Sequence, residues 1–260
     1  MNYTTVVTDI QNKLNEFVKI DLKELDEVKL LNRIDSKYII HISQFVDLLE
    51  EIKPDYKVLK IEDKLIHTYE SLYFDTDDFT LYNYHHNGKA DRFKTRYRKY
   101  VDSGLCYFEV KYKDKANRTD KKRVKKEEII LELDDRDKSI IEHNQVDINA
   151  LKPQVWIYFK RITLANNNMK ERLTLDLDIS FKRHEQSQAF PHLVIIEIKQ
   201  DKSSSSSAIL NALKKRHLEE IGFSKYATAI ALMENVKSNN FKPNFIKLKK
   251  LEEKYGRHSE

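Results

Sequence analysis

Glycine is scarce in this 260-residue chain, and the four present, Gly88, Gly104, Gly222 and Gly256, lie too far apart to build a phosphate-cradling loop. Walker A and dinucleotide-binding fingerprints are thereby excluded, so any phosphate chemistry must use side chains. A single cysteine, Cys106, rules out an intramolecular disulfide and a cysteine zinc cluster, and it suits a reducing compartment. No uninterrupted apolar run nears the roughly 18 residues of a membrane span. The opening MNYTTVVTDIQNKLNEF carries acidic and amide residues where a signal peptide needs a basic end and an apolar core. A soluble, cytoplasmic protein without a membrane span is expected. The nine histidines show no HExxH or other zinc spacing.

With 40% hydrophobic and 10% aromatic residues the chain can build a sizeable core, and its length suits one large domain. The net charge of +5 hides an asymmetry: residues 89–126 hold fifteen Lys and Arg against five Asp and Glu. The rest of the chain is therefore net acidic. A sequence-independent polyanion site is one reading of this segment, and a solvated lysine-rich surface is the other.

Ile10, Leu14, Phe17 and Val18 recur at helical spacing, as do Phe45, Val46, Leu48, Leu49 and Ile52 between Ser43 and Pro54. A strand around Lys37–His41 separates these two helices. From Ile66 onward the period changes to two, and strands are expected at 66–75, 92–101, 105–113, 121–133, 155–163, 171–181 and 193–200. Ser203–Ser207 could be a linker. They lead into a helix with Ser207 as N-cap and Gly222 as C-terminal stop. A last helix starts near Lys225, and the Lys- and Asn-rich segment after Asn235 has the composition of a weakly ordered tail. The resulting division is an N-terminal helix at 1–27, a main domain at 28–234 and a basic tail at 235–260. The fold class expected is α+β, a large antiparallel sheet or barrel flanked by helices.

Alternation decides which chemistry shares a face. In RFKTRYRKY the even positions are Arg92, Lys94, Arg96 and Arg98, and in CYFEVKYK the odd positions are Tyr107, Glu109, Lys111 and Lys113. Lys121, Arg123 and Lys125 share a face. Arg172, Thr174, Asp176 and Asp178 oppose Leu173, Leu175 and Leu177, while Glu197 and Lys199 oppose Val194, Ile196 and Ile198. Like charges opposite one another on neighbouring strands destabilise a sheet, so a closed tunnel lined by this many cations is tolerable only if an anion of high charge density occupies it. Closure into a tunnel with a basic interior and an open basic face both accommodate the pattern. Same-face side chains about 6.6 Å apart suit a linear phosphate chain. Phe93, Tyr97, Phe108 and Tyr112 fall on the opposite face, which leaves base stacking, and hence specific nucleic-acid binding, poorly supported. Glu197 and Glu109 are the acids among the cations. Each is open to two readings, a cross-strand salt bridge or an oxygen ligand for Mg²⁺ or Mn²⁺. Asp75, Asp77 and Asp78 read as turn formers.

The ordered set RIDSKY (33–38), SLYFDT (71–76), RFKTRYRKY (92–100), YFEVKYK (107–113), KKRV (121–124), IYFKR (157–161), RLTLDLDI (172–179), IIEIKQ (195–200) and SKYATAI (224–230) resembles the VTC-type polyphosphate polymerase domain of the triphosphate tunnel metalloenzyme superfamily. The resemblance covers about residues 28–234. It implies an antiparallel β-barrel tunnel with a basic interior that binds triphosphate and a divalent metal. The implied activity is transfer of the ATP γ-phosphoryl group to a growing polyphosphate chain. It also implies phosphate ligands at Lys37, Arg96, Arg98, Lys111, Lys121, Arg123, Arg161, Arg172 and Lys199, with Lys225 near the tunnel, and matches Glu197 to the metal-binding acid. Arg96, Arg98, Lys111 and Arg123 are the residues expected to carry catalysis. ATP or another triphosphate and polyphosphate are the expected partners, and no protein partner can be read. Triphosphate hydrolysis in the same tunnel and noncatalytic polyphosphate binding are the competing functions.

Overall fold

The alternating segments between Arg33 and Asp201, with the short strand Val18–Ile20, assemble into one eleven-stranded sheet. The computed structural model describes residues 3–26, 33–116, 118–142, 146–202 and 207–256. Helix α1 (Tyr3–Glu16), β1 (Val18–Ile20), α2 (Leu22–Asp26), β2 (Arg33–His41) and α3 (Phe45–Ile52) open the chain. Then come β3 (Tyr56–Leu59), β4 (His67–Asp75), α4 (Thr80–His86), β5 (Arg92–Tyr100), β6 (Leu105–Lys113), β7 (Thr119–Lys126) and α5 (Asp135–Ser139). Strands β8 (Lys152–Asn166), β9 (Glu171–Arg183), β10 (Gln186–Phe190) and β11 (Leu193–Asp201) complete the sheet, and α6 (Ala208–Lys215), α7 (Lys225–Met233) and α8 (Lys242–Gly256) follow.

The hydrogen-bonded order is β2-β11-β9-β8-β4-β5-β6-β7, with β10 hairpinned on β9 and the parallel pair β1–β3 attached through β8. Apart from β1–β3 the pairings are antiparallel, as the α+β expectation requires. Among the described residues β2 and β7 do not pair, so the sheet is not closed by hydrogen bonds. It is strongly curled all the same. Lys111 of β6 lies within electrostatic reach of Lys37 and Asp35 of β2 and of Glu197 and Lys199 of β11, across the concave side.

The convex side is apolar. Ile40, Ile162, Leu164, Leu173, Leu175, Val194, Ile196 and Ile198 are buried against Ile10 and Leu14 of α1, Leu48 and Leu49 of α3, and Ile209 and Leu213 of α6. Each such side chain contributes about 1.5–3 kcal/mol on burial, and together these residues hold the curled strands that carry the charges. Phe93, Tyr97, Phe108 and Val110 pack a second convex cluster with Leu72, Phe74 and Leu81.

The concave side is only partly ionic, which alternation alone did not foresee. Its one end is filled by Ile39, Tyr69, Tyr73, Ile157, Phe159, Ile179, Phe181 and Ile195, on which α7 packs Tyr226, Ala227, Ala229 and Ile230. A bulge makes this possible in β9. Asp178 has φ +53° and pairs with Lys160 on the convex side, while the register slips between Tyr158 and Lys160. Asp178 thus does not share the face of Arg172, Thr174 and Asp176. After the bulge Ile179 and Phe181 take over the concave side.

Other boundaries move for local reasons. Helix α6 stops at Lys215, where His217 adopts φ +54° and Leu218 N–H donates to Leu213 O at 3.1 Å, so the stop is seven residues before Gly222 in numbering. Strand β7 ends at Lys126 rather than 133. Val18 begins β1 and is exposed instead of extending the face of α1. The segment after Asn235 contains α8, held by Leu248 in the concave cluster with Phe245 and Leu251 beside it. Ser203–Ser206 lie outside the described residues. Ser207 caps α6 as expected, accepting from Leu210 N–H at 3.2 Å.

Asp75 ties three elements together. Its carboxylate accepts from the backbone N–H groups of Thr76 at 2.7 Å and of Leu81 and Tyr82 in α4 at 2.8 Å each, and from the Tyr226 hydroxyl of α7. Removing it orphans three buried N–H groups and a phenol. Asp75→Ala should lower stability by about 3 kcal/mol. Chemical denaturation checks this, and α7 should lose hydrogen-exchange protection ahead of β8 and β9.

Candidate active site

Strand pairing places the cations. Directly opposite one another across the ladders stand Arg92 and Lys113, Lys94 and Lys111, and Lys111 and Lys121. Such pairs oppose sheet formation. Elsewhere register brings opposite charges together: Arg96 with Glu109, Lys37 with Glu197, and Arg161 with Asp176.

Three acids organise the floor. Arg96 directs Nε and Nη2 to Glu109 Oε2 at 2.9 and 2.8 Å and Nη1 to the Tyr73 hydroxyl at 2.5 Å, while Lys121 Nζ pairs with Glu109 Oε1. Burial works to raise the Glu109 pKa, but Arg96, Arg98 and Lys121 outweigh it and hold the carboxyl well below its usual range. Although burial also pushes the Tyr73 phenol up, Arg96 and Arg98 bring it below its ordinary value. Arg161 grips Asp176 bidentately at 2.6 and 2.8 Å, and Lys225 Nζ pairs with the same carboxylate. Against the desolvation that would raise it, Arg161 and Lys225 depress the Asp176 pKa to about 2. Glu197 pairs with Lys199, which also lies 3.9 Å from Asp35. Its pKa falls, despite burial, through Lys199, Lys37 and Arg161.

The remaining cations of the set are not neutralised. Arg98 is only 7% exposed and forms no ion pair among the described residues; its Nε donates to Ser71 Oγ at 3.3 Å, and its guanidinium lies 5.6 and 5.5 Å from the Tyr69 and Phe159 ring centres. Lys37 Nζ donates to Phe223 O at 2.8 Å, immediately before α7. Lys111 and Arg172 likewise lack an ion pair among the described residues; burial and then Arg33 and Arg161 lower the Arg172 pKa. Arg123 is exposed on the edge strand and stacks on Tyr107, 4.8 Å from its ring centre. It stands at the rim, directly opposite Glu109 across the β6–β7 ladder, and forms no ion pair among the described residues.

Sequence reasoning overlooked several contributors. Lys94 stands in the basic row but was not matched to a phosphate role. Its Nζ donates to Ser224 Oγ at 2.8 Å, and burial followed by Lys37 and Lys111 drives its pKa well below normal. Asp176 showed only as one of several polar positions. Tyr69, Tyr73, Tyr107 and Phe159 supply aromatic surface on the concave side, contrary to the expectation from Phe93 and its neighbours. Arginines cover them: Arg161 lies 5.3 and 5.2 Å from the Tyr69 and Phe159 ring centres. They support guanidinium groups rather than offering bare faces to bases.

The donor set limits where a metal fits. Among the described residues no group of three His, Cys, Asp or Glu is placed to hold one. Both Glu109 oxygens are engaged, by Arg96 and Lys121, so in this structure Glu109 bridges two cations. Glu197 has one oxygen paired with Lys199 and remains partly exposed on the concave face. That arrangement suits a hard ion that takes one carboxylate and completes its shell with phosphate oxygens.

The two arginines should respond oppositely to truncation. Arg96→Ala strands the 1%-exposed Glu109 with Lys121 alone and should cost about 3 kcal/mol or more. Arg98→Ala removes a buried cation that no acid contacts directly, so its melting temperature should equal or exceed that of the wild type. Calorimetric melting of both variants without ligand checks the pair of expectations.

No curated protein matches the sequence significantly. Among solved structures, a putative adenylyl cyclase from Hippeastrum, described as having a dominant triphosphatase activity, is similar over 80% of this chain and 99% of its own, with 15% identity and a TM-score of 0.47. The PH1012 protein from Pyrococcus horikoshii gives 16% identity, coverage of 76% and 98%, and a TM-score of 0.43. A putative adenylate cyclase from Vibrio parahaemolyticus gives 14%, 76% and 97%, and 0.42. None of these scores reaches 0.5, and the assignment rests instead on the family model for the VTC domain, which matches residues 32–234. That stretch contains every cation and acid described above, and by it the chain belongs to the VTC domain family.

Proposed function

We propose that the protein is an ATP–polyphosphate phosphotransferase that moves the γ-phosphoryl group of ATP onto a growing polyphosphate chain on its concave face. The observation that carries the reading is the unneutralised set Lys37, Arg98 and Lys111 beside the acid-bridged Arg96 and Lys121. Cations kept together without a direct ion pair, one of them nearly buried, are stabilised when a polyanion binds. Family membership supports the same chemistry.

Phosphoryl transfer needs positioning and charge stabilisation rather than a nucleophilic side chain. Arg96, Arg98 and Lys111 hold the β- and γ-phosphates, and Arg123 at the rim meets the chain as it enters or leaves. Lys37, Lys121, Arg161, Arg172, Lys199 and Lys225 shape the surrounding field, several of them through Glu109, Asp176 and Glu197. A terminal oxygen of the acceptor chain forms a bond to the γ-phosphorus as the bond to the β-bridging oxygen breaks, and ADP leaves. The acceptor is anionic at neutral pH, so no general base is required. Acids tied up in ion pairs, as Glu109 and Asp176 are, are poorly placed to activate water, which favours transfer over hydrolysis. Glu197 is the residue to hold Mn²⁺ or Mg²⁺, which would supply charge neutralisation at the phosphates.

Purified protein given ATP and Mn²⁺ should accumulate acid-stable phosphate chains with matching ADP. Orthophosphate as the main product would identify a hydrolase, and binding without turnover a noncatalytic module. Arg98→Ala should lose about a hundredfold in kcat/KM without loss of fold. For Glu197→Gln the Mn²⁺ concentration giving half-activity should rise steeply while metal-free tripolyphosphate binding persists. A loss of stability with unchanged metal dependence would return Glu197 to a salt-bridge role.

Tripolyphosphate should raise the melting temperature of the wild type, by mass action on the folded state, and the increase should shrink as salt rises. Differential scanning calorimetry at low and high ionic strength measures it.

A further inference from the structure

Beyond Arg96 the concave face continues along β5 to Lys94 and Arg92, and across the ladder to Lys113. No acid bridges this end: Arg92, Lys94 and Lys113 form no ion pair among the described residues. Arg92 Nη1 donates to Lys89 O at 2.5 Å, and Lys94 rests on the Ser224 hydroxyl that caps α7. Facing them from α4 is His85. Its Nδ1 is buried without a hydrogen-bond partner, and its ring stacks on Phe241 at 5.9 Å. The adjacent His86 is fully engaged, with Nδ1 3.0 Å from Asn87 Oδ1 and Nε2 accepting from Asn240 N–H at 3.3 Å.

Burial first, then Lys94, Arg92, Lys37 and Lys113, push the His85 pKa down to about 2. These cations reach the imidazole from β5, β2 and β6. His85 is therefore neutral at pH 7, and it adds no charge to the crowd. A neutral imidazole can still donate one N–H. A buried polar atom with no partner costs free energy until something fills the place opposite it, and the four cations around it define what that is.

We propose that His85, Arg92, Lys94 and Lys113 form a second anion subsite, which takes a phosphate of a polyphosphate chain beyond those held at Arg96 and Arg98. The inference rests on the concave face being a phosphate site. Same-face residues rise about 6.6 Å per step, so Arg92 lies about 20 Å along β5 from Arg98. A chain longer than a triphosphate is the ligand that spans both.

His85 makes a clean probe because removing a neutral side chain leaves the electrostatic field unchanged. His85→Phe keeps the ring on Phe241 and removes the hydrogen bond alone. Isothermal calorimetry with tripolyphosphate and with longer linear polyphosphate, at one salt concentration, should show wild type binding the longer chain more tightly. His85→Phe should weaken longer-chain binding by roughly tenfold, the worth of one hydrogen bond to a charged group, and leave tripolyphosphate binding unchanged. Lys113→Gln should act in the same direction, and melting curves of both variants confirm the fold. Equal losses for both ligands, or none for either, overturn the subsite while leaving the triphosphate reading intact. Wild type binding neither ligand overturns that reading and the subsite with it.

Discussion

Repulsion among cations gathered on one concave sheet surface constrains everything else in this molecule. Glu109, Asp176 and Glu197 answer it locally. Glu109 joins Arg96 to Lys121, Asp176 joins Arg161 to Lys225, and Glu197 pairs with Lys199. Buried bridges of this kind give little net stability, but they fix guanidinium and ammonium groups in place. What they leave unneutralised, Lys37, Arg98 and Lys111, is the part free to respond to an anion. Unpaired positive charge is thus concentrated where direct acid partners are missing.

A convex skin of Ile, Leu and Val supplies the stability that the charged side withholds. The helices α1, α3 and α6 clamp the strands from outside, so curvature does not depend on the ladder closing between β2 and β7. On the inside α7 is seated by its apolar face and by the Tyr226–Asp75 hydrogen bond, with Tyr226 stacked on Tyr73 at 5.1 Å. Its N-terminal turn then presents Ser224 and Lys225 to the cations. Apolar packing and the cation cluster meet at that turn.

Strand faces in β5, β6 and β11 could be read from the sequence because strict alternation places Arg96, Lys111 and Glu197 on one side wherever the ladder is regular. The order of short motifs carried the family. What alternation could not convey was pairing across the sheet. Whether Glu109 meets a metal or Arg96 depends on register, and register is set by turns and packing far from Glu109. The apolar filling was equally hidden, since Ile157 and Phe159 share the parity of Arg161 and differ only in which end of the sheet they occupy. Helix α4 escaped notice because seven residues carrying two histidines show no clear helical period. Its start is defined by Asp75, a residue that reads as a turn former and acts as a cap.

The bulge at Asp178 has a consequence for how such a surface can change over time. Strand β9 presents Arg172, Thr174 and Asp176 before it and Ile179 and Phe181 after it on the same side. The border between charge and oil is therefore a register border, created by one inserted residue. Point substitutions can alter what stands on either side, but they cannot move the line. A one-residue insertion or deletion can, and it would exchange the two surfaces of half a strand at once, so lineages that keep this chemistry are expected to tolerate sequence drift here far better than changes in length.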